Sequence, residues 1–386
     1  MNRREGHGWH QALSMWQQIC LITSTLIGVG VLTLPRTTSS KLFEAGWIAP
    51  LIGSAGAYVS LWLIVKLSRR YPGETFIEYS HKVWGSVRRP WVGKVFSLPW
   101  ICIYLVYLYF STAVVSRVFG EVVVTSVLLQ TPLEVMLITM FLLVLFLCMH
   151  EVEVVARVNE LLFPFIIFPL LFIAIASFQK AELGNLLPIN HVSIRSMVEG
   201  VYEGIYSYSG FEIMFVFFAY AQQNTNRELA GFYSLLIAAS LYMLIVVAGI
   251  SVFGYEELQR VTWPTLELVK TTQVPGLILE RLESAFLAVW VSAVFTTVAN
   301  AYYAVVYSLR QLFRKGIRFQ RIVAAALLVP LFFFALIPQN ITEVFKWSSL
   351  LGLSSLVINL LFPVAYWVAI LIRDMVTRRE GRNIDG

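Results

Sequence analysis

Apolar runs long enough to cross a lipid bilayer recur along all 386 residues and leave little room for a separate soluble domain. A helix needs about 20 residues to span a hydrocarbon core roughly 30 Å thick. Backbone N–H and C=O groups have no water to bond there, so each run is read as a helix that pairs its own backbone. Composition agrees: 58% of residues are hydrophobic, 13% are charged, and the mean hydropathy is +0.72. A soluble globular domain carries more charge than this. The predicted fold class is an all-α integral membrane protein, a single polytopic domain over residues 1–386.

Ten spans are expected, at 12–41, 46–66, 92–118, 132–150, 152–178, 196–221, 230–253, 277–309, 321–338 and 345–372. An even number places both termini on one side. If that side is the cytoplasm, the inner segments hold most of the 29 lysines and arginines, as the positive-inside rule requires. The net charge of +6 is therefore read as a topology signal, and nucleic acid is not expected as a partner. The first apolar run continues without a small-residue cleavage site, so it is expected to be retained as a helix. Cys20, Cys102 and Cys148 fall in predicted helices without pairing or metal spacing, and are read as small buried hydrophobes. Short surface helices are predicted within 69–85 and 255–276, with a third candidate at 119–129.

Two spans contain sequence that a lipid-facing helix would avoid. "IGVGVLTLP" (27–35) sets two glycines around one valine, with a proline five residues later. Glycines of this kind can serve close helix packing. A span of about 30 residues can also hold two half-helices around Gly28-Val29-Gly30. "YSYSGFE" (206–212) places serines, a glycine and a carboxylate at the centre of the sixth span. Discontinuous helices at corresponding positions of two halves are a pointer to a transporter-type binding site. Spans one and six begin two five-span halves, about 12–178 and 196–372, followed by a tail at 373–386.

Both segments resemble the broken-helix motifs of the amino acid–polyamine–organocation permease superfamily. A closer resemblance runs through "STLIGVGVLTLPR", "RYPGETFIEY", "LGNLLPI", "YSGFE", "WPTLELVK" and "ERLESAFLAVW", in that order. Together they resemble the spore-germination permease family, the B subunits of germinant receptors. The resemblance implies a 5 + 5 inverted-repeat fold with helices 1 and 6 broken, and a location in the spore inner membrane or cell membrane. It implies a membrane-embedded A subunit and a lipoprotein C subunit as partners. It also implies a receptor for a small germinant, with an ion-coupled amino-acid transporter as the competing reading. No metal-ligand cluster, phosphate loop or activated nucleophile points to an enzyme, and no cofactor is expected.

An unwound first helix can offer the N–H groups of Gly28, Val29, Gly30 and Val31 to a carboxylate. The carbonyls of Tyr206–Ser209 at the second break can face an ammonium group, and Tyr206, Tyr208, Ser209 and Gly210 are the ligand-binding candidates there. In this fold, specificity would come from side chains of the third, sixth and eighth spans. Tyr104, Tyr107 and Ser111 share a face of the third, and Thr296 and Thr297 interrupt the eighth, with Asn300 one turn on. Such residues can equally bond neighbouring backbone. These mostly apolar or hydroxyl-bearing side chains suggest a neutral ligand such as alanine or valine. The threonine pair also has suitable chemistry for sodium, whereas the fourth and fifth spans lack the lysine described in proton-coupled relatives. Charge inside a span costs about 2.5–3.5 kcal/mol on insertion scales, which draws attention to Glu212, Glu199, Glu203, Glu160, Arg117 and Glu121 as candidates for coupling or gating. Arg117 and Glu121 are spaced as a structural ion pair, and Glu160 is expected to bond Arg157.

Overall fold

Ser14 opens the first helix. Its hydroxyl accepts from the Gln17 amide while the Gln17 side chain accepts from the Ser14 amide, a capping box that starts α1 (Met15–Leu26). The computed structural model describes residues 13–85, 90–187, 193–271 and 282–382. Helical geometry fails at Ile27 and resumes in α2 (Gly30–Leu42). There follow α3 (Ile48–Arg70), α4 (Phe76–Val83), α5 (Pro90–Ser126), α6 (Leu133–Cys148), α7 (Val152–Ser177) and α8 (Ile194–Tyr206). After a second interruption come α9 (Met214–Phe217), α10 (Arg227–Arg260), α11 (Pro264–Thr271), α12 (Leu282–Leu312), α13 (Ile317–Ala335), α14 (Ile341–Leu356) and α15 (Phe362–Arg382).

The protein is an integral membrane protein built almost wholly of helices. Seven helical segments among the described residues are long and apolar enough to cross a membrane. The expected count of ten depends on adding segments too short to qualify singly: α1 and α8, at 12 and 13 residues, and α6, at 16. Half-helices cannot each span about 30 Å at 1.5 Å per residue.

The surface helices differ in outcome. The segment 69–85 forms α4 with a capping box between Thr75 and Glu78. Within 255–276, Pro264 begins α11; the Pro-Gly pair at 275–276 lies outside the described residues, as do the N-terminal arginines and Arg88 and Arg89. The third candidate, 119–129, is not a separate helix, because α5 runs unbroken to Ser126. Its one glycine, Gly120, sits inside the helix and receives Leu133 of α6. The expected end of the seventh span at 253 falls at a kink inside α10, where Gly254 has a φ of 71°. The last expected span is α14 and α15 joined by a π turn at Val357–Leu361.

The packing brings the interrupted segments together. α12 lies along α5, α3 along α8, and α10 along α1, α2 and α3. Just before α1, Leu13 pairs with the strand-like stretch after the second interruption: its amide donates to Tyr220 O at 3.1 Å and its carbonyl accepts from Gln222 at 3.0 Å. The start of one broken segment is thereby fixed against the end of the other.

Candidate functional site

The first interruption is asymmetric. At the end of α1, the Ser24 carbonyl faces the hydroxyls of Thr296 and Thr297, both at 3.3 Å, and the Thr25 carbonyl faces Thr297 at 3.1 Å. The Leu26 carbonyl accepts from Tyr242 at 2.6 Å, and Gly28 O from the Trp290 indole at 3.4 Å. The orphan acceptors of a helix end are thus met by α10 and α12. At the start of α2 no side chain caps the amides. The Gly28 amide, expected to meet a carboxylate, turns back instead onto Leu26 O at 3.0 Å, and the Leu32 amide bonds Val29 O at 3.2 Å. The amides of Val29, Gly30 and Val31, at the positive end of the helix, have no partner among the described residues.

Pro35 explains where Val31 goes. Proline has no N–H to give to the carbonyl four residues earlier, and the Thr265 hydroxyl of α11 donates to Val31 O at 2.7 Å instead. Val31 is fully buried and is not in the cavity wall.

Gly28 and Gly30 have different uses. A Cβ on Gly28 would lie 2.7 Å from Thr297 Oγ1, so glycine is what lets α12 close onto the break. A Cβ on Gly30 would meet nothing within 4 Å. Its surroundings are open.

At the second interruption Gly210 has a φ of 134°, and a Cβ there would approach Thr25 O to 2.9 Å. Only glycine meets both demands at low cost. The amides of Tyr208 and Ser209 turn back onto the carbonyls of Ile205 and Tyr206, at 3.1 and 2.8 Å. Glu212, 1% exposed, then folds over the turn. One carboxylate oxygen accepts from Tyr107 at 2.6 Å and the other from the Gly210 amide at 2.7 Å. Tyr104 donates to the Glu212 carbonyl at 3.0 Å. Among the described residues no Lys, Arg or His pairs with this carboxylate, which is held by neutral donors.

Between the two interruptions lies a cavity of about 320 Å³. Of the expected residues, Gly28, Val29, Gly30, Tyr107, Ser111, Tyr206, Ser209, Gly210, Thr297 and Glu212 line it. Tyr104, Tyr208 and Thr296 stand behind the wall: Tyr208 donates to Pro50 O at 2.9 Å, and Thr296 to Ala293 O at 2.9 Å. The side chain of Glu203 lies outside what the structure describes. Glu199 pairs with Lys41 at 3.1 Å and Arg195 at 3.1 Å. Asn300 exchanges two 2.8 Å bonds with Asn159 and a third with Thr25 Oγ1, tying α12 to α7 and α1.

Three charged candidates are structural in geometry. Arg117 bonds Glu121 at 2.8 Å and Pro338 O at 3.1 Å, away from the cavity. Glu160 accepts from Gln17 at 3.0 Å rather than from Arg157. Residues 157 and 160 are three apart on one helix, but α1 packs on α7 and brings the capping-box glutamine to the carboxylate.

The cavity also has residues that sequence reasoning did not select: Thr25, Arg36, Phe345 and Ser348 among them. Arg36 could have been found, since a cation inside an expected span is costly. Phe345 and Ser348, in α14, carried no such signal. The expectation of an alanine- or valine-like ligand rests on apolar and hydroxyl-bearing side chains; the wall adds a guanidinium.

Helices interrupted on either side of one internal cavity, in a membrane bundle, define a transporter-type architecture. The solved structures include one with this fold, a Na+-coupled sialic acid symporter in a substrate-bound outward-open state, at a TM-score of 0.62 and 10% identity over 92% of this chain and 80% of that one. At that identity the likeness concerns the fold. The chain belongs to the spore germination protein (spore permease) family, whose sequence model matches residues 12–344. Among its relatives, spore germination protein YndE of Bacillus subtilis (strain 168) is 32% identical over 300 residues, 78% of this chain and 80% of that protein. Spore germination protein B2 of the same organism is 24% identical over 95% of this chain and 98% of its own length. Spore germination protein GerLB of Bacillus cereus is 26% identical over 73% and 74%. The family is not an enzyme family.

Proposed function

We propose that this protein is the B subunit of a spore germinant receptor. It binds a small amino-acid germinant between the two broken helices and passes a conformational change to A and C partner subunits. The observation that carries this reading is the one-sided satisfaction of the first break: its carbonyls are paired within the protein, while the amides that start α2 are left uncapped beside the cavity. A carboxylate fits such a helix start. The ammonium group would then sit toward the second break, near the Ser209 hydroxyl oxygen, a buried acceptor with no protein partner among the described residues. The reading also takes the chain as ten spans in two five-span repeats, with both termini facing the spore core.

Ligand binding can signal only if the two conformations differ in affinity. The cavity joins α1, α2, α5, the α8 turn, α12 and α14, so closure around a ligand would shift how these helices pack on one another. Spores with and without this gene, exposed to a panel of amino acids, test the proposal. Selective loss of germination with one or a few amino acids supports the receptor; an unchanged response to every one removes the assignment.

A coupled amino-acid transporter is the second reading. The Thr296 and Thr297 hydroxyls against the carbonyls of Ser24 and Thr25 offer clustered oxygens of the type that hold sodium. Accumulation of labelled amino acid in vesicles, driven by a sodium or proton gradient, would favour transport over reception.

A further inference from the structure

The cavity is large for alanine. A cavity of about 320 Å³ has room for many waters, and a six-heavy-atom amino acid would leave part of it unfilled. The unfilled part is not apolar. Six residues beyond Gly30, about 9 Å along α2, Arg36 enters the same wall, which Thr33, Thr37 and Ser348 also line.

What sets Arg36 apart is that it is an unpaired cation in the cavity wall, whereas several cations elsewhere are paired. Lys41 has Glu199, Arg117 has Glu121, and Lys270 has Glu267. Arg36 has no ion pair or hydrogen bond among the described residues, and its guanidinium lies over the Phe345 ring, 5.1 Å from the centroid. The contact with the ring holds the guanidinium near Phe345 without using its N–H groups, which stay free for an acceptor. In a helix the side chain also leans toward the N-terminus, which here is the break.

The geometry points to Arg36 as the residue that reads the ligand's side chain. It selects an amino acid whose side chain ends in a carbonyl oxygen, a carboxamide or carboxylate, over alanine or valine. The α-carboxylate sits on the first amides of α2, and the side chain extends along that helix until its terminal oxygen meets the planar fork. This rests on the proposed site between the breaks. It replaces the alanine-like ligand with one long enough to bridge the two ends of α2's exposed face.

The test uses spores of the native host carrying the full receptor, with wild type, Arg36→Leu, Arg36→Lys and Gly30→Leu, and immunoblots of spore membranes. Asparagine, glutamine, aspartate, glutamate, alanine and valine are compared by half-effective concentration. In wild type the first four act at lower concentrations than alanine and valine; the amides against the acids show whether charge matters. Arg36→Leu raises the half-effective concentration of the preferred group at least tenfold more than that of alanine and valine, and Arg36→Lys, which keeps the charge but loses the fork, falls between. If Arg36→Leu does not accumulate, the same selective shift is read from Arg36→Lys. A preference for alanine or valine in wild type, or a shift equal for all ligands, overturns the assignment of Arg36 while leaving the site. An unaltered response of Gly30→Leu to every ligand overturns the site and this inference together.

Discussion

The two broken helices meet at one cavity but solve the same problem in opposite ways. At the second break the protein consumes its own polarity: Glu212 takes the Gly210 amide and the Tyr107 hydroxyl, and the turn amides bond the carbonyls just before them. At the first break neighbouring helices satisfy the carbonyls of Ser24, Thr25, Leu26 and Gly28, and the Gly28 amide bonds Leu26 O, while the amides of Val29, Gly30 and Val31 have no partner among the described residues. Leaving polar groups unpaired in a membrane interior is costly unless something else occupies them. The second break therefore reads as a rigid fixture, and the first as the place where an external acceptor is needed.

If the second break is a fixture, damage to it should cost the fold. Gly210→Ala forces a side chain into a φ of 134° and to within 2.9 Å of a backbone oxygen that cannot move away cheaply. Backbone strain of this type is worth about 1–3 kcal/mol before the contact is counted. Most of the protein should be missing from the membrane fraction, measured by immunoblot. Normal accumulation would show that the turn is adjustable and the contrast with the first break is false.

Next in size is Gly28→Ala. The added methyl meets the Thr297 hydroxyl at 2.7 Å, the end of a side chain rather than backbone. Accumulation should fall, by less than for Gly210→Ala, and Gly28→Ala with Thr297→Ala should recover part of it. No recovery would mean that the constraint lies in the backbone of α1 and not in the approach of α12.

Tyr107→Phe is smaller still. It removes a 2.6 Å hydrogen bond to a carboxylate that no cation supports among the described residues. A hydrogen bond of this kind contributes about 0.5–1.5 kcal/mol net. The purified protein in detergent should unfold a few degrees lower. An unchanged midpoint would imply that the Gly210 amide alone holds Glu212 in place.

Both interruptions are legible in the sequence, because glycine, serine and a carboxylate are conspicuous where the surroundings are apolar. The spans are legible for the same reason. Their boundaries are less so: α5 continues through 119–126 because nothing in "FGEVVVTS" stops a helix, and α14 and α15 read as a single span until the π turn is seen. The cavity wall divides similarly. Tyr107 and Ser111 follow from spacing, yet Tyr104 on the same face is pulled out of the wall to bond the Glu212 carbonyl. Periodicity defines a face but not which of its residues a neighbouring helix will occupy. Val31 fails for a reason written in the sequence but easily overlooked, since Pro35 leaves its carbonyl to Thr265.

The smallest expected effect is the most discriminating. Gly30→Ala makes the same chemical change as Gly28→Ala two residues away, but nothing lies within 4 Å of the new methyl, and Gly30 is the first residue of a helix, where alanine is better tolerated than glycine. Thermal stability in detergent should be unchanged or slightly higher. The germination response should nevertheless weaken by a few-fold, because the methyl stands where a ligand carboxylate would approach the α2 amides. Stability and response moving in opposite directions would identify Gly30 as a residue kept for the ligand, whereas an unaffected response would place the carboxylate elsewhere in the cavity and leave the uncapped amides without a use.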